Sequence, residues 1–180
     1  MVRAVPARRA LLTPRHAAFA PVVDTGTRVL ILGSLPGAAS LAAGRYYAHP
    51  QNAFWHLVGG VIGVDLAALD YDARLAALLA AGVGLWDTVT SARRAGSLDA
   101  ALREVEVADL AAVIAELPAL RRVAFNGKAA GTIGSRVLPS GVLSVTLPSS
   151  SAAYTLPLVA KAAAWAVLAA DLVGSRRSAP

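Results

Sequence analysis

Short apolar runs alternate with amphipathic segments along most of the chain. Four runs rich in Val, Leu, Ile and Phe predict strands at residues 29–32, 84–89, 121–125 and 142–147. Apolar residues at helical spacing predict helices at residues 54–58, 70–81, 107–117, 129–138 and 156–173. Because strands and helices alternate, the pattern is typical of a parallel sheet covered by helices on both faces.

This alternation predicts an α/β fold of three layers, α/β/α, around a central, mostly parallel four-stranded sheet. A chain of 180 residues is long enough to fold as one domain with its own core. The regular pattern starts after residue 20, so we expect a single domain at residues 21–174. The ends are predicted to be flexible, as a basic N-terminal arm at residues 1–20 and a tail at residues 175–180.

The net charge of +6 comes entirely from the two ends of the chain. Of the 17 basic residues, six lie in the ends, and 17 − 6 leaves 11 to balance the 11 acidic residues. The six are Arg3, Arg8, Arg9, Arg15, Arg176 and Arg177. Basic ends add a non-specific attraction to phosphate, or they are simply solvated. Charge alone therefore identifies no nucleic-acid site in the domain.

The composition narrows the class of protein further. A hydrophobic content of 56% and a mean hydropathy of +0.57 indicate a globular chain. Without cysteine there is no disulfide framework and no thiolate zinc site, and His16, His49 and His56 lack the spacing of metal ligands. We expect no metal and no cofactor. The sequence has no signal-peptide pattern, and its late apolar run at residues 162–170 is short of the roughly 20 residues that span a bilayer. We therefore expect a cytoplasmic protein.

Three predicted strands end in polar turns. Residues 33–37 (Gly-Ser-Leu-Pro-Gly) force a sharp turn that exposes the backbone N–H groups of Gly33 and Ser34. The other two turns are residues 126–128 (Asn-Gly-Lys) and 149–151 (Ser-Ser-Ser). Open α/β sheets bind ligands at the carboxyl ends of their strands, so these turns predict a site at that edge. For residues 126–128, an ordinary strand-to-helix turn is the alternative.

Residues 46–55 hold four of the ten aromatic side chains of the protein. Phe54 and Trp55 fit the core-facing side of a helix, and Asn52 is well placed to cap that helix. Tyr47, His49 and Asn52 also have the mixture of apolar wall and placed polar groups that ligand cavities use. We therefore expect these three residues in the site.

The same segment resembles the uracil-DNA glycosylase superfamily. Residues 47–55 (Tyr-Ala-His-Pro-Gln-Asn-Ala-Phe-Trp) are similar to the first motif of mismatch-specific uracil glycosylases. The turn at residues 33–37 is closer to the hypoxanthine-DNA (deoxyinosine) glycosylase branch, because the third position is Leu35 where mismatch-specific enzymes carry a catalytic Asn. The resemblance to the deoxyinosine branch implies that Asn52 is the catalytic amide, and the resemblance to mismatch-specific glycosylases implies that Tyr47 stacks on the base.

Two further segments carry this resemblance. Residues 125–128 (Phe-Asn-Gly-Lys) match a segment in which Asn126 is an active-site residue. Residues 147–151 (Leu-Pro-Ser-Ser-Ser) resemble a loop that presses into the minor groove of DNA, although the chain continues with Ala-Ala-Tyr where the family has Pro-Ala and a polar residue. The resemblance implies DNA contacts by Lys128, Ser149, Ser150 and Ser151. For Arg94, in the predicted polar loop at residues 91–99, we expect a solvated side chain, with a phosphate contact as the alternative.

The resemblance implies an enzyme that flips hypoxanthine out of DNA and hydrolyses its N-glycosidic bond, which starts base excision repair. In this interpretation Asn52 and Asn126 are catalytic, while Gly33, Ser34, Tyr47 and His49 bind the base. The partner is DNA with a deaminated base, and a monomer is expected. One alternative is a glycosylase for uracil or for G:U and G:T mismatches. A second alternative is a non-catalytic nucleotide-binding module whose glycine turn holds a phosphate.

Overall fold

The computed structural model describes residues 13–173. Residues 1–12 and 174–180, with most of the predicted arm and the predicted tail, lie outside the described residues. The strands are β1 (Arg15–Ala17), β2 (Val29–Gly33), β3 (Val83–Asp87), β4 (Val89–Arg93), β5 (Arg103–Val107), β6 (Arg122–Asn126) and β7 (Ser144–Leu147). The α-helices are α1 (Ala38–Ala43), α2 (Phe54–Ile62), α3 (Tyr71–Ala80), α4 (Leu110–Ala115), α5 (Lys128–Gly134), α6 (Leu158–Trp165) and α7 (Ala169–Leu172).

Four of these strands form the central sheet. Their order is β3-β2-β6-β7, and each neighbouring pair is parallel. All five residues of β2 are buried, as expected for a parallel strand with both faces covered. The predicted four-stranded sheet is confirmed, and each strand overlaps the apolar run that predicted it.

The side chains of β2 alternate between two separate cores. Val29 and Ile31 lie in a cluster with Phe54 of α2, Leu78 of α3 and Trp165 of α6. On the other face of the sheet, the side chains of residues 30 and 32 pack with residues of α4 and α5. Since successive residues of a strand point to opposite faces, one buried strand joins both layers of helices. This is the predicted three-layer α/β/α arrangement.

A second, three-stranded antiparallel sheet has the order β1-β4-β5. This sheet was not predicted. The polar loop predicted at residues 91–99 is wrong for residues 91–93, which belong to β4. All five residues of β5 are exposed. No apolar run in the sequence therefore predicts this strand, and its pairing with β4 stabilises it. The helix predicted at residues 107–117 begins only at Leu110, because Val107 still belongs to β5.

The first strand of the structure lies inside the predicted arm. Arg15 of β1 donates a hydrogen bond to the Ser91 hydroxyl at 2.7 Å and pairs with the Glu106 carboxylate at 2.5 Å. Further along, the Phe19 carbonyl accepts a hydrogen bond from the Trp86 indole at 3.1 Å. The prediction of a flexible arm as far as residue 20 is therefore wrong from Arg15 onwards, because these residues pair with the domain.

The helices differ from the predicted ones mainly at their ends. Helix α3 confirms the prediction at residues 70–81, and the Asp70 carboxylate caps it by accepting the Ala73 N–H at 2.9 Å. Helix α5 is shorter than predicted, and the predicted helix at 156–173 is divided into α6, a 3-10 turn and α7. Within residues 13–173, no helix is long and apolar enough to cross a membrane.

Candidate active site

The carboxyl ends of the four central strands meet at one edge of the sheet. Gly33 ends β2 directly opposite Asp87, the last residue of β3. Asn126 ends β6 opposite Leu147, the last residue of β7. The three polar turns therefore begin side by side, as the sequence predicts.

A cavity of about 360 Å³ lies at this edge, within the size range of ligand-binding cavities. Its lining includes all but one of the predicted site residues, namely Gly33, Ser34, Tyr47, His49, Asn52, Asn126, Ser149, Ser150 and Ser151. The remaining one, Lys128, is exposed at the start of α5 and does not line the cavity. The structure thus brings together every residue predicted to be catalytic or base-binding.

A larger cavity of about 690 Å³ adjoins the first one. Tyr47, His49 and Asn52 line both cavities, and Arg45 and Arg74 line the larger one. The larger cavity does not reach the turns at the ends of β2, β6 and β7. The smaller cavity is therefore the candidate active site.

The turn at residues 33–37 is held from one side by its carbonyl groups. The Gly33 carbonyl accepts hydrogen bonds from the Thr88 N–H at 2.8 Å and the Thr88 hydroxyl at 3.1 Å. The Ser34 carbonyl accepts the Val89 N–H at 3.0 Å. Because a trans peptide directs the next N–H away from its carbonyl, the N–H groups of Ser34 and Leu35 point away from these partners. Both residues line the cavity.

The buried side chain of Arg94 fixes the rest of the turn at residues 33–37 by hydrogen bonds. Its side chain is 0% exposed and donates hydrogen bonds to the carbonyls of Leu35, at 3.3 Å, and Pro36. The carboxylate of Asp99 lies 3.9 Å from the guanidinium and accepts the Ser34 hydroxyl at 2.5 Å. Both expectations for Arg94, a solvated side chain and a phosphate contact, are wrong, because the guanidinium is enclosed by backbone carbonyls.

Gly33 allows two side chains to approach each other across the cavity. A Cβ atom at this position would lie 2.6 Å from the Asp87 carboxylate and 3.3 Å from the Tyr47 hydroxyl. Any larger residue would therefore displace one of them. The absence of a side chain at Gly33 is what brings Asp87 and Tyr47 to the same end of the cavity.

The Tyr47 ring forms an aromatic wall of the site. It is stacked on Phe54 with the ring centres 3.7 Å apart and the planes 7° from parallel. The backbone of Tyr47 has φ 51°, a conformation that costs energy for a residue with a side chain. Hydrogen bonds from the Trp55 indole to the Tyr47 carbonyl and from Asn126 to the Tyr47 hydroxyl, both 3.2 Å, hold it there. Burial raises the pKa of Tyr47, and so does the nearby Asp87.

Asn52 stands just before α2. Its side-chain oxygen accepts the Phe54 N–H at 3.0 Å, although the residue at the helix N-cap is Ala53. The backbone N–H of Asn52 donates to the His49 carbonyl at 2.9 Å, which closes the loop before the helix. Since the amide oxygen is fixed by a backbone donor, the amide nitrogen is the group left for the cavity.

The loop at residues 149–151 is fixed to the domain at several points. Ser150 is bound through its N–H and its hydroxyl by Asn126, at 2.8 Å each, and its carbonyl accepts the Ala53 N–H at 3.0 Å. The Lys161 amine is buried and donates to the Ser151 carbonyl at 3.0 Å. Burial lowers the pKa of Lys161. This loop therefore has a defined position against α2 and β6.

Asp87 is the site residue that sequence analysis missed. Its side chain is 3% exposed, it lines the cavity, and its Oδ2 atom has no hydrogen-bond partner within residues 13–173. Burial raises its pKa to about 7, helped by Asp99 and opposed by Arg94. The sequence feature that could have identified Asp87 is its place at the end of an apolar strand, at the same edge of the sheet as the three turns used for the prediction.

An enzyme that excises bases from DNA needs an aromatic surface for the extruded base and fixed polar groups around it, and the cavity at the carboxyl edge of this sheet has both. The comparison with known families agrees. The chain belongs to the Uracil DNA glycosylase superfamily, whose family model matches residues 20–169. The family predicted from the sequence is confirmed.

Two named relatives and one solved structure are similar to this protein over most of the chain. The Hypoxanthine DNA glycosylase of Methanosarcina barkeri is 38% identical over 148 residues, which cover 82% of this chain and 94% of the relative. The Hypoxanthine DNA glycosylase of Methanosarcina acetivorans is 38% identical over 135 residues, which cover 75% of this chain and 85% of the relative. A solution NMR structure of a candidate uracil DNA glycosylase from Methanosarcina acetivorans has a TM-score of 0.80 and 34% identity, covering 88% of this chain and 99% of the other.

Proposed function

We propose that this protein releases hypoxanthine from DNA by hydrolysing the bond between the base and the deoxyribose. The observation that carries the proposal is the geometry of Asn52. Its amide oxygen is occupied by the Phe54 N–H at 3.0 Å, so its amide nitrogen remains as a donor at the cavity. The names of the two Methanosarcina glycosylases support the choice of base.

The extruded base needs a surface to replace its lost stacking. Extrusion from the duplex costs a few kcal/mol, and stacking on an aromatic side chain returns about 1–3 kcal/mol. Phe54 covers one face of the Tyr47 ring. In the proposed complex the base lies against the other face, and the phenol is held in place by Asn126.

In the transition state of cleavage, positive charge develops on the sugar and negative charge on the departing base. Water attacks C1′ of the deoxyribose, the C1′–N9 bond breaks, and its electron pair passes to the purine, which takes up a proton as the water loses one. Fixed donors around the departing base lower this barrier because they need no reorganisation. The Asn52 amide and the N–H groups of the turn at residues 33–37 are the candidates for this role.

Leu35 makes this support of the leaving base important. It is buried against Val89 and Ala92, so the turn carries an apolar side chain at its third position. An apolar residue cannot hold an attacking water by hydrogen bonds. In the proposed mechanism, most of the catalysis therefore comes from donors to N7 and O6 of the purine.

DNA binding is proposed for Lys128 and for the loop at residues 149–151. Ser149 and Ser151 are half-buried on this loop, whereas Ser150 is 1% exposed and bound to Asn126, so it positions the loop and does not itself contact the duplex. Lys128 lies at the start of α5, outside the cavity, where it is available to a phosphate. The basic ends of the chain add a salt-dependent attraction. In this arrangement, the cavity receives the base while the loop and Lys128 contact the strand beside it.

Single-turnover cleavage of matched duplexes tests the proposal. Each duplex carries one hypoxanthine, uracil, xanthine or adenine, and alkali cleaves the abasic site formed. We expect release of hypoxanthine, slow or no release of uracil, and rejection of adenine, whose six-amino group faces an amide donor. One unpaired buried group gives a preference of about tenfold to a hundredfold. Faster release of uracil would establish the uracil alternative, and tight binding of a free mononucleotide without cleavage would establish the binding module.

A further inference from the structure

Asp87 is a buried carboxyl group without a hydrogen-bond donor. Its side chain is 3% exposed, and its Oδ2 atom is fully buried without a hydrogen-bond partner within residues 13–173. Native proteins rarely bury such a group unless it has a use. Arg94 does not supply a donor, because its guanidinium is occupied by the carbonyls of Leu35, Pro36 and Gly96.

The position of this carboxyl places it at the end of the cavity. Asp87 lies opposite Gly33 in the sheet, and its Oδ1 atom is 2.6 Å from the point where a Gly33 Cβ would lie. The Tyr47 hydroxyl is near the same point, at 3.3 Å. A base stacked on Tyr47 would therefore direct its edge towards Asp87.

The groups around Asp87 favour the neutral carboxylic acid. Asp99, Tyr46 and Tyr47 are the acidic groups that face it, and Arg94 is the cation. Burial is the largest influence and raises the pKa of Asp87 to about 7, while Asp99 acts in the same direction and Arg94 opposes them. His49 also lines the cavity, on the loop before α2.

A neutral carboxyl group has an acceptor and a donor side by side. Hypoxanthine has the complementary pair, the N1–H donor next to the O6 acceptor. An ionised carboxylate has only acceptors, so one of its oxygens would face O6 and repel it. The two hydrogen bonds to N1–H and O6 leave N7 and the other side of O6 free for Asn52.

We propose that Asp87 is a base-recognition residue, whose neutral carboxyl pairs with the lactam edge of the extruded base. The carbonyl oxygen accepts N1–H and the hydroxyl donates to O6. This inference rests on the proposed glycosylase function and identifies the N1–H and O6 edge of hypoxanthine as the part of the base that Asp87 contacts. Rejection of adenine is left to the amide donors, because a carboxyl with its proton on the other oxygen also pairs with adenine.

Two variants of Asp87 separate recognition from packing. Asp87→Asn keeps a donor beside an acceptor at every pH, and Asp87→Ala keeps neither. We expect the single-turnover rate constant of base release by the wild type on the inosine duplex to fall as the pH rises through 7. Asp87→Asn is expected to stay within about tenfold of the wild type at pH 6 and to lose this fall, and Asp87→Ala to lose about tenfold to a hundredfold at pH 6.

The controls keep the outcomes distinct. His49→Gln should retain the fall above pH 7, which assigns it to Asp87, and melting temperatures with affinities for an abasic duplex check that the variants fold. An Asp87→Asn variant as inactive as Asp87→Ala, or an Asp87→Ala variant as active as the wild type, overturns the inference. If the wild type does not cleave the inosine duplex, the proposed function fails instead, and the same variants are then measured on uracil, which has the same lactam edge.

Discussion

Asn126 and Ser150 are joined by two hydrogen bonds through a single side chain. The Asn126 oxygen accepts the Ser150 N–H at 2.8 Å, and the Asn126 nitrogen donates to the Ser150 hydroxyl at 2.8 Å and to the Tyr47 hydroxyl at 3.2 Å. Both hydrogens of the amide are therefore engaged. Asn126 connects the loop at residues 149–151 with the aromatic wall, and this arrangement favours a positioning role over direct donation to the base.

Replacing Asn126 tests this positioning role. We expect Asn126→Ala to lower kcat/KM on an inosine duplex, to weaken binding of an abasic duplex and to reduce stability by roughly 2–4 kcal/mol, since the amide makes three hydrogen bonds of about 1 kcal/mol each and leaves buried partners unpaired. Asn126→Asp keeps the acceptor for Ser150 but loses both donations. Loss of base release with unchanged stability and DNA affinity would instead favour direct catalysis by Asn126.

Asn52 offers a cleaner separation of structure from chemistry. Asn52→Ala should slow single-turnover base release by about a hundredfold to a thousandfold, the usual cost of losing one catalytic donor. It should also cost about 1 kcal/mol of stability, because the Phe54 N–H loses its acceptor. Asn52→Asp is the matched control, since a carboxylate still accepts the Phe54 N–H but has no amide donor. We expect it to be stable and nearly inactive; turnover close to the wild type by either variant would refute the assignment.

Arg94 should contribute to stability far more than its neighbour Arg93. In Arg94→Met, the carbonyls of Leu35, Pro36 and Gly96 lose their donor, and those of Leu35 and Pro36 are buried, so we expect a loss of about 3 kcal/mol or more in urea unfolding. Arg93→Met is the control. Its ion pair with Glu104 is partly exposed, and such pairs contribute about 0.2–1 kcal/mol. Equal losses for the two variants would show that the turn does not depend on Arg94.

The central sheet was predictable because its strands are apolar and buried. The runs that became β2 and β6 also place Gly33 and Asn126 at the ends of their strands, so the site could be located from the turns. The family match confirms the predicted Uracil DNA glycosylase superfamily, and the relatives are consistent with the predicted enzyme class. The roles of the individual site residues remain predictions.

The second sheet and the burial of two charged residues could not be predicted from the sequence. Strand β5 is polar and exposed on all five residues, so only its partner β4 holds it as a strand. Arg94 and Asp87 are hydrophilic types that are usually exposed. Their burial follows from the tertiary positions of the turn at residues 33–37 and of Asp99, which no local pattern describes.

The N-terminal residues can be tested apart from the domain. Since β1 starts at Arg15 and pairs with β4, truncation after residue 12 removes Arg3, Arg8 and Arg9 without cutting the described fold. We expect weaker DNA affinity and a flatter dependence on salt, by about 0.9 in logarithmic slope for each phosphate that the shortened protein no longer neutralises. Single-turnover cleavage at saturating protein should hardly change. An unchanged slope would show that these arginines do not bind DNA.

Asp87 also makes a prediction about stability and pH. Its pKa is about 7 in the folded protein and 3.8 ordinarily, so between these values the folded state holds a proton that the unfolded state has released. The contribution of Asp87 to stability must therefore fall as the pH rises from about 4 to about 7, and the full cost, about 4 kcal/mol for pKa values some three pH units apart, persists above pH 7.

The comparison with Asp87→Asn isolates this contribution. The variant cannot ionise, so its free energy of unfolding should lack the decline between pH 4 and pH 7, and the difference between variant and wild type should grow in favour of the variant up to about pH 7. Urea unfolding at half-unit steps from pH 4 to pH 8 measures both curves. Parallel curves over this range would mean that the carboxyl titrates alike in the folded and unfolded states, and that its burial at the cavity does not favour the neutral acid.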